Sequence, residues 1–502
     1  MHGLIQRPGQ RLGNRFGSCF GRLARALLGV LLAGCGAGEP PLNVLLVTLD
    51  TTRPDRLGCY GHRGASTRAI DELASEGVRF ANVRATAGLT PMSHASILTG
   101  LNNYRHGMRV FYSTEHSHRL KPECETLPEL LRERGWRTAA FVSSYPVSEV
   151  YGLDQGFEVF ETGLDVESLD LTRQQRHEEL WHEGEAISTQ RRGDVTTTQA
   201  LEWLRALGNE PWCVWMHYFD AHDFSLVPPL DFAREFGIEA YPKRVPSTDY
   251  EWRDRMYDPE LAFIDRQLAR VLDWLEESGQ AARTVVVVTA DHGQGLLDGL
   301  ERHGWGNHRL LYDWSIRVPL LLRYPGCPRG EVVEEQVRTI DILPTLLELL
   351  DVPAPATEGA SLLALARGEK EAEPRIAYAD ALNLFDAHSP KARLPASSYD
   401  NLFVATDGRW KLIHHREKPQ HDELFDLASD PGELHDVASA HPEQRQRLLR
   451  YLEQRAPWDV ERPGAETGPG PDAGALHSLG YGGEGDEQDR GEGARQDGEE
   501  GG

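Results

Sequence analysis

The sequence predicts an α/β fold, a mostly parallel central sheet sandwiched by helices. Three observations predict it. Residues 43–49 (NVLLVTL) and 284–290 (TVVVVTA) are unbroken β-branched and aliphatic runs, the pattern of strands buried on both faces. Strand and helix patterns alternate along most of the chain. Three strand patterns end in an acid, Asp50, Asp220 and Asp291, at the carboxyl edge where open α/β sheets bind their ligands.

The elements follow in order. After 43–49 comes a Gly/Arg-rich turn, then a helix over 68–76 stopped by Gly77. Thr90 suits a helix N-cap and Pro91 the first helical position, so 90–98 reads as a helix. Residues 125–134 read as a helix, 138–142 as a strand, 195–207 as a helix and 212–219 as a strand. A long amphipathic helix covers 257–277, followed by the strand 284–290, a strand over 318–323 and a helix over 340–350. These complete a domain over 42–355. A polar Ala/Glu/Pro-rich connection then leads to a hairpin, 402–406 and 410–414, around Asp407-Gly408, and to a helix over 442–455. They read as a smaller C-terminal α+β subdomain, 356–460, of the same fold. The stretch 461–502 reads as a disordered acidic Gly-rich tail, with eight acidic and two basic residues from Gly482 on.

The chain's 502 residues suffice for a sizeable core. Residues 1–34 stand outside it as a signal peptide. They carry five arginines and no acid, then a short apolar run, 26–33, and Leu32-Ala33-Gly34-Cys35. That ending resembles a bacterial lipobox, with Cys35 as the lipidated first residue and 35–41 as a linker. The expected location is the bacterial cell envelope, lipid-anchored at Cys35 and facing the periplasm or exterior. An ordinary cleaved signal peptide is the alternative.

Net charge is −25, and about −30 without the leader arginines. A chain this acidic has no phosphate-tracking surface for nucleic acid. Cys59, Cys124, Cys213 and Cys327 follow Cys35, and their spacing selects no disulfide pairing. Cys213 lies in an apolar strand and reads as a buried thiol.

Three stretches carry chemistry: Asp50 after its strand, Thr90 at its helix start, and Asp291-His292 after the Val-rich strand. Two carboxylates, an imidazole and a hydroxyl suit a hard or borderline divalent cation. Singly, each has a plainer reading as a turn former, a helix cap or a strand-end polar pair. Together, VLLVTLDTTRPDRLGCYG, TPMSHASILTG, HYFDAHDF, TADHGQGL, HGWGNHRLLYDWSIRVPLLLR and DGRWKLIHH…ELFDLASDPGE resemble the sulfatase family, within the alkaline-phosphatase-like superfamily. The resemblance covers about residues 42–460. It implies an alkaline-phosphatase-like fold and a metal-dependent hydrolase of sulfuric or phosphoric esters.

The chain departs from that family's pattern at the site. The first strand ends in Asp50-Thr51 rather than two acids. Thr90 stands in place of the Cys or Ser that becomes formylglycine, His94 in place of the signature Arg, and His308 in place of a later Lys. Imidazoles thus replace cationic clamps, and imidazole ligates zinc where lysine does not. Superfamily branches with an unmodified Thr use two metals. A first metal is therefore expected on Asp50, Thr90, Asp291 and His292. A second would use Asp220, His222 and either His303 or His308; otherwise these groups only hydrogen-bond the substrate. Zinc, manganese, calcium and magnesium all remain open.

The expected reaction is attack of metal-bound Thr90 on sulfur or phosphorus, with His222 or His308 protonating the leaving oxygen. The substrate would be a small sulfated or phosphorylated molecule, a glycan or lipid head group among the candidates. Alternatives are a phosphodiesterase or phosphonate-type hydrolase, a transferase of phosphoryl-linked head groups, and a non-catalytic surface binding protein.

Overall fold

The structure, a computed structural model, describes residues 40–110, 118–164, 189–222, 226–242, 249–304, 308–384, 400–455 and 458. The expected leader, Cys35, the acidic tail and the side chain of His308 lie outside the described residues. All elements named here lie in the unit Leu42–Gly502.

The main sheet has eight strands: β1 (Asn43–Leu49), β2 (Val78–Arg84), β3 (Arg137–Val142), β4 (Val159–Glu161), β5 (Trp212–Tyr218), β6 (Thr284–Thr289), β7 (Arg317–Arg323) and β8 (Glu331–Arg338). Their order is β4-β3-β5-β1-β6-β7-β2-β8. β1 pairs in parallel with β5 and β6, and β7 alone runs against its neighbours. The α/β expectation holds.

Both faces of β1 are covered, which is why it reads as a continuous apolar run. Val44 and Leu46 join one core cluster, while Leu45, Val47 and Leu49 join another. Seven of the helices are α1 (Arg68–Glu76), α2 (Thr90–Thr99), α3 (Leu127–Arg132), α4 (Gly193–Ala206), α5 (Tyr250–Glu277), α6 (Ile342–Leu349) and α7 (Pro442–Arg455). α2, α3 and α6 cover the first face; α1, α4 and α5 cover the second. The long helix also caps a neighbour: Asp265 of α5 accepts the amides of Ala69 and Ile70 at the start of α1, at 3.1 and 2.9 Å.

Two sequence expectations shift. α5 begins at Tyr250 rather than 257, because Asp249 accepts the Trp252 amide at 3.0 Å and caps it there. Pro259 lies inside the helix. The main sheet also gains β2, β4 and β8, which the apolar-run reading missed. β2 alternates burial and carries a register shift between Phe80 and Val83.

A second sheet of β9 (Ala377–Leu382), β10 (Asn401–Thr406), β11 (Trp410–His415) and β12 (Glu423–Asp426) is antiparallel, in the order β12-β11-β10-β9. One face packs on Leu310, Leu311, Tyr312, Trp314 and Ile316, the other on α7. The four cysteines at 59, 124, 213 and 327 are free thiols, with Cys213 buried. No helix among the described residues is long and apolar enough to cross a membrane.

An ionic cluster joins the two sheets. Lys411 of β11 is fully buried, with Nζ 2.9 Å from Asp313 Oδ1 and 2.6 Å from Glu433 Oε1. Arg84 of β2 donates to the other Asp313 oxygen at 2.7 Å. Removing one member leaves buried carboxylates short of a cation. Lys411→Ala is therefore expected to cost about 3–5 kcal/mol, read from the urea midpoint of unfolding. A midpoint unchanged from wild type would show that the cluster contributes nothing.

Candidate active site

The site lies at the carboxyl edge of β1, β5 and β6. Thr48 pairs with both His217 and Thr289, so the residues that follow these strands are neighbours. Asp50 follows β1 and Asp291 follows β6, and both are fully buried. Each has one hydrogen-bonded oxygen and one bare one. Asp50 Oδ2 accepts from His217 Nε2 at 3.0 Å, whereas Oδ1 has no hydrogen-bond partner. Asp291 Oδ1 accepts the amides of Thr51 and His292 at 3.1 and 2.8 Å, whereas Oδ2 has none.

Backbone conformation places these donors. Thr51 has φ 52°, a left-handed conformation that is strained for a β-branched residue. The turn aims its amide at Asp291, and Tyr257 of α5 holds it by donating to the Thr51 carbonyl at 2.6 Å. Gly293 is required by close approach, since a Cβ there would lie 2.2 Å from the Trp314 carbonyl oxygen.

His292 completes the group. Its Nδ1–H donates to the Gly293 carbonyl at 2.9 Å, so Nε2 carries the lone pair. Nε2 lies 3.2 Å from Thr90 Oγ1 and 3.4 Å from Asp291 Oδ2. Thr90 is the first residue of α2, the N-cap is Leu89, and no side chain caps that end. The expected capping role is thus not what the hydroxyl does; it faces His292.

Burial raises the Asp50 pKa to about 7. The Asp291 pKa is likewise raised by burial, then by the Asp50 charge. Asp50, Asp291 and His292 offer ligand atoms within 4.8 Å of one another, the one such group among the described residues. Bare carboxylate oxygens facing an imidazole lone pair fit a divalent cation.

The other expected residues divide. His94 lies behind the site: Nδ1 bonds the Thr90 carbonyl at 2.8 Å and Nε2 meets Thr48 Oγ1 at 3.0 Å. Both ring nitrogens are thus engaged inside the fold. His222 stacks on Phe219 at 4.3 Å, with its ring 6.5 Å from that of His292. Burial, and then the His292, Arg253 and His217 charges, pushes its pKa well below the usual imidazole value. It is neutral here, not poised near neutrality as expected of a general acid.

Asp220 Oδ1 accepts the Gly193 amide at 3.0 Å and Oδ2 has no hydrogen-bond partner, while burial lifts its pKa to about 6. His303 is not brought to the metal-ligating group. It stacks on Tyr312 at 3.6 Å, takes the Trp314 indole N–H on Nδ1 at 2.9 Å and bonds the Glu433 carbonyl through Nε2 at 3.2 Å. Among the described residues Asp220, His222 and His303 form no such ligating group, and the alternative third member of that set, His308, has its side chain outside them.

Sequence reasoning missed His217. Its signal was a lone imidazole inside the apolar strand WCVWMHY, two residues before the strand end Phe219-Asp220.

A carboxylate whose folded pKa is raised favours the folded state at low pH, and that contribution is lost as pH rises through the folded value. Asp50→Asn keeps an oxygen for His217 and removes the charge. In chelator-treated protein at pH 8 the variant is expected to be more stable than wild type by about 1–4 kcal/mol. It is also expected to lose the rise in Tm that a divalent cation gives wild type. A variant that melts below wild type in chelator, or keeps the cation-dependent rise, contradicts this.

The sulfatase family model matches residues 42–352, and a model for the C-terminal region of N-sulphoglucosamine sulphohydrolase matches residues 301–456. The chain is 22% identical to an N-acetylglucosamine-6-O-sulfatase of Bacteroides thetaiotaomicron, over 82% of this chain and 86% of that protein. It is 26% identical to human (Homo sapiens) arylsulfatase A, over 87% and 92%. Among solved structures, the phosphonate monoester hydrolase of Agrobacterium radiobacter superposes with a TM-score of 0.63 at 22% identity, over 82% of this chain and 95% of that one. The sulfatase match takes in more than half of the chain, and the curated relatives are matched over most of their length. This chain belongs to the sulfatase family, and it is a hydrolase of sulfuric or phosphoric esters.

Proposed function

We propose that the chain cleaves a small sulfate or phosphate ester by attack of an unmodified Thr90 hydroxyl, beside a divalent-cation site made by Asp50, Asp291 and His292. The observation that carries this reading is the Thr90 hydroxyl, spared from capping and 3.2 Å from His292 Nε2, at the same point as two bare carboxylate oxygens. A cation bound there supplies Lewis-acid polarisation of the ester and favours the ionised hydroxyl.

This chain's residues do the rest. His292 Nε2, left with the lone pair by its Nδ1–H bond to the Gly293 carbonyl, would be the nitrogen ligand of that cation, and the Thr90 hydroxyl beside it would lose its proton to solvent. The start of α2 adds positive potential where the anionic group sits. His94 pins the Thr90 carbonyl and so fixes the direction of the hydroxyl. Neutral His222 hydrogen-bonds an ester oxygen. The bond from Thr90 Oγ to sulfur or phosphorus forms as the ester C–O–S or C–O–P link breaks at sulfur or phosphorus. The leaving oxygen takes its proton from solvent, and water then attacks sulfur or phosphorus of the threonine ester, which releases sulfate or the phosphorus acid and restores the Thr90 hydroxyl.

The relatives suggest the substrate class. One is named an N-acetylglucosamine-6-O-sulfatase, and a similar structure was solved with its substrate D-glucosamine-2-N,6-O-disulfate. A sulfated amino sugar is the first reading. Phosphonate or phosphate esters are the second, favoured by Thr90 itself. A threonine ester has no geminal hydroxyl to expel its group, so it must be hydrolysed at sulfur or phosphorus, and phosphorus is the less hindered choice. The lipobox-like Cys35 completes the proposal: a lipid-anchored enzyme of the cell envelope.

Thr90→Ala is expected to lower kcat by roughly 10⁴-fold or more while leaving Tm close to wild type, since no cap is lost. Wild type treated with a slow substrate is expected to carry one sulfuryl or phosphoryl group on the peptide that contains residue 90. Full activity in the alanine variant would sink the nucleophile assignment. For the anchor, Cys35→Ser is expected to move the enzyme from the membrane to the soluble fraction with kcat/KM unchanged. Retention in the membrane fraction would rule the anchor out.

A further inference from the structure

Thr90 is the first residue of α2, and no side chain caps that end. An uncapped first turn is where a helix frays, yet this one carries the hydroxyl. The sheet face beneath α2 supplies a different hold. Thr48 of β1 lies on that face in step with Val44 and Leu46, and Trp215 of β5 in step with Cys213. Those core neighbours share a cluster with Ile97 and Leu98 of α2.

Three hydrogen bonds run from this face to the helix start. Trp215 Nε1–H donates to Thr48 Oγ1 at 2.9 Å. Thr48 Oγ1 lies 3.0 Å from His94 Nε2, and His94 Nδ1 lies 2.8 Å from the Thr90 carbonyl oxygen. All four residues are buried. Their chemistry leaves one pattern of donors. A carbonyl oxygen only accepts, so His94 Nδ1 carries a proton and donates it to Thr90. An indole N–H only donates, so Thr48 Oγ1 accepts from Trp215. The Thr48 hydroxyl proton then needs an acceptor, and His94 Nε2 is the one it meets among the described residues. The bonds therefore run one way, from Trp215 to Thr48 to His94 to the Thr90 carbonyl. The rings are held in line as well. His94 lies 5.2 Å from the Trp215 ring and 5.0 Å from the His217 ring, and Trp215 stacks on Phe157 at 5.9 Å.

Holding the Thr90 carbonyl fixes its peptide plane, and with it the Cα–Cβ bond about which the hydroxyl turns toward His292. We propose that Trp215, Thr48 and His94 form a one-way hydrogen-bond series that ties the start of α2 to the sheet in place of a cap, and that Thr48 and Trp215 are positioning residues for attack by Thr90. The proposal rests on the reading of Thr90 as the nucleophile. Neither Thr48 nor Trp215 belongs to the cation-ligating group.

The test compares wild type, Thr48→Val, Thr48→Ser and Thr90→Ala as full chains, with para-nitrophenyl sulfate and para-nitrophenyl phosphate as probes. Valine keeps the shape of threonine without the hydroxyl; serine keeps the hydroxyl. Thr48→Val is expected to lower kcat by about 10-fold or more with KM within about twofold of wild type, because the loss falls on the geometry of attack. Deuterium exchange at the amides of residues 92–94 should quicken in the same variant, with that of β6 unchanged. Thr48→Ser should keep both at wild-type values. A purely structural role would lower Tm and leave kcat below the melting range unchanged. That result overturns the proposal, and so does a serine variant as slow as the valine one. If wild type cleaves neither probe, the exchange at 92–94 decides in the same way. Full activity in Thr90→Ala sinks the nucleophile reading instead, a different result. Should the valine variant fail to fold, Trp215→Phe decides. Without the indole N–H the Thr48 hydroxyl loses the donor that orients it, and kcat should fall by about threefold or more. A wild-type kcat in that variant overturns the series.

Discussion

Two buried carboxylates forced together are the constraint on which the rest of this site depends. β1 and β6 are neighbours in parallel register, and each delivers an aspartate just past its last paired residue. Two like charges about 4 Å apart repel by on the order of 4 kcal/mol at an effective dielectric of 20. Burial of both aspartates adds to that cost and raises both pKa values. A fold that needed only stability would place an asparagine or an aliphatic residue at either position. The structure instead offsets part of the cost, with His217 on one carboxylate and two amides on the other, and leaves an oxygen of each bare. A bound cation relieves the remainder, so affinity for it and instability without it share one origin.

Holding that arrangement takes strain and tight contacts nearby. Thr51 accepts a left-handed backbone at a cost of order 1–3 kcal/mol so that its amide reaches Asp291. Tyr257, from the middle of a long helix on one face of the sheet, braces the same turn. From the other face comes α2, bringing Thr90. Arg53, two residues past Thr51, is held by Asp55 and Asp298, each at 2.7 Å from its guanidinium.

What the sequence made legible follows from how local each signal is. β1, β5 and β6 are buried on both faces and read directly as aliphatic runs; the acids after them fall where expected. β2 and β8 are only partly buried and pair near the sheet margin, so no continuous apolar run marks them. Asp50, Asp291 and His292 were legible because strand ends place them. His94 and His303 were not, because a histidine's role depends on what its two nitrogens meet. Thr48 and the Thr90 carbonyl take those of His94; Trp314 and Glu433 take those of His303. Thr48 and Glu433 are distant in sequence from the histidines they meet, so no local pattern announces the pairing. His217 was hidden for the opposite reason: the same strand that gave Asp220 away made its imidazole look like one more core residue.

The C-terminal sheet matters to the site through a chain of main-chain contacts rather than by reaching into it. Lys411 and Glu433 hold Asp313, and Tyr312 donates to Glu423 of β12 at 2.9 Å. This fixes the segment 312–316, whose Ser315 carbonyl takes the Gly293 amide at 2.6 Å. The Gly293 carbonyl in turn receives the Nδ1–H of His292 and sets which nitrogen faces Thr90. Glu433 itself has φ 54°, a left-handed conformation, and its carbonyl also anchors His303. His303 is thus part of the support for the segment that positions His292, although it offers the cation nothing. The second sheet is then a brace for the proton state of the His292 imidazole. Damage to the Lys411 cluster would reach the site by letting Gly293 move, with no change in Asp50, Thr90, Asp291 or His292.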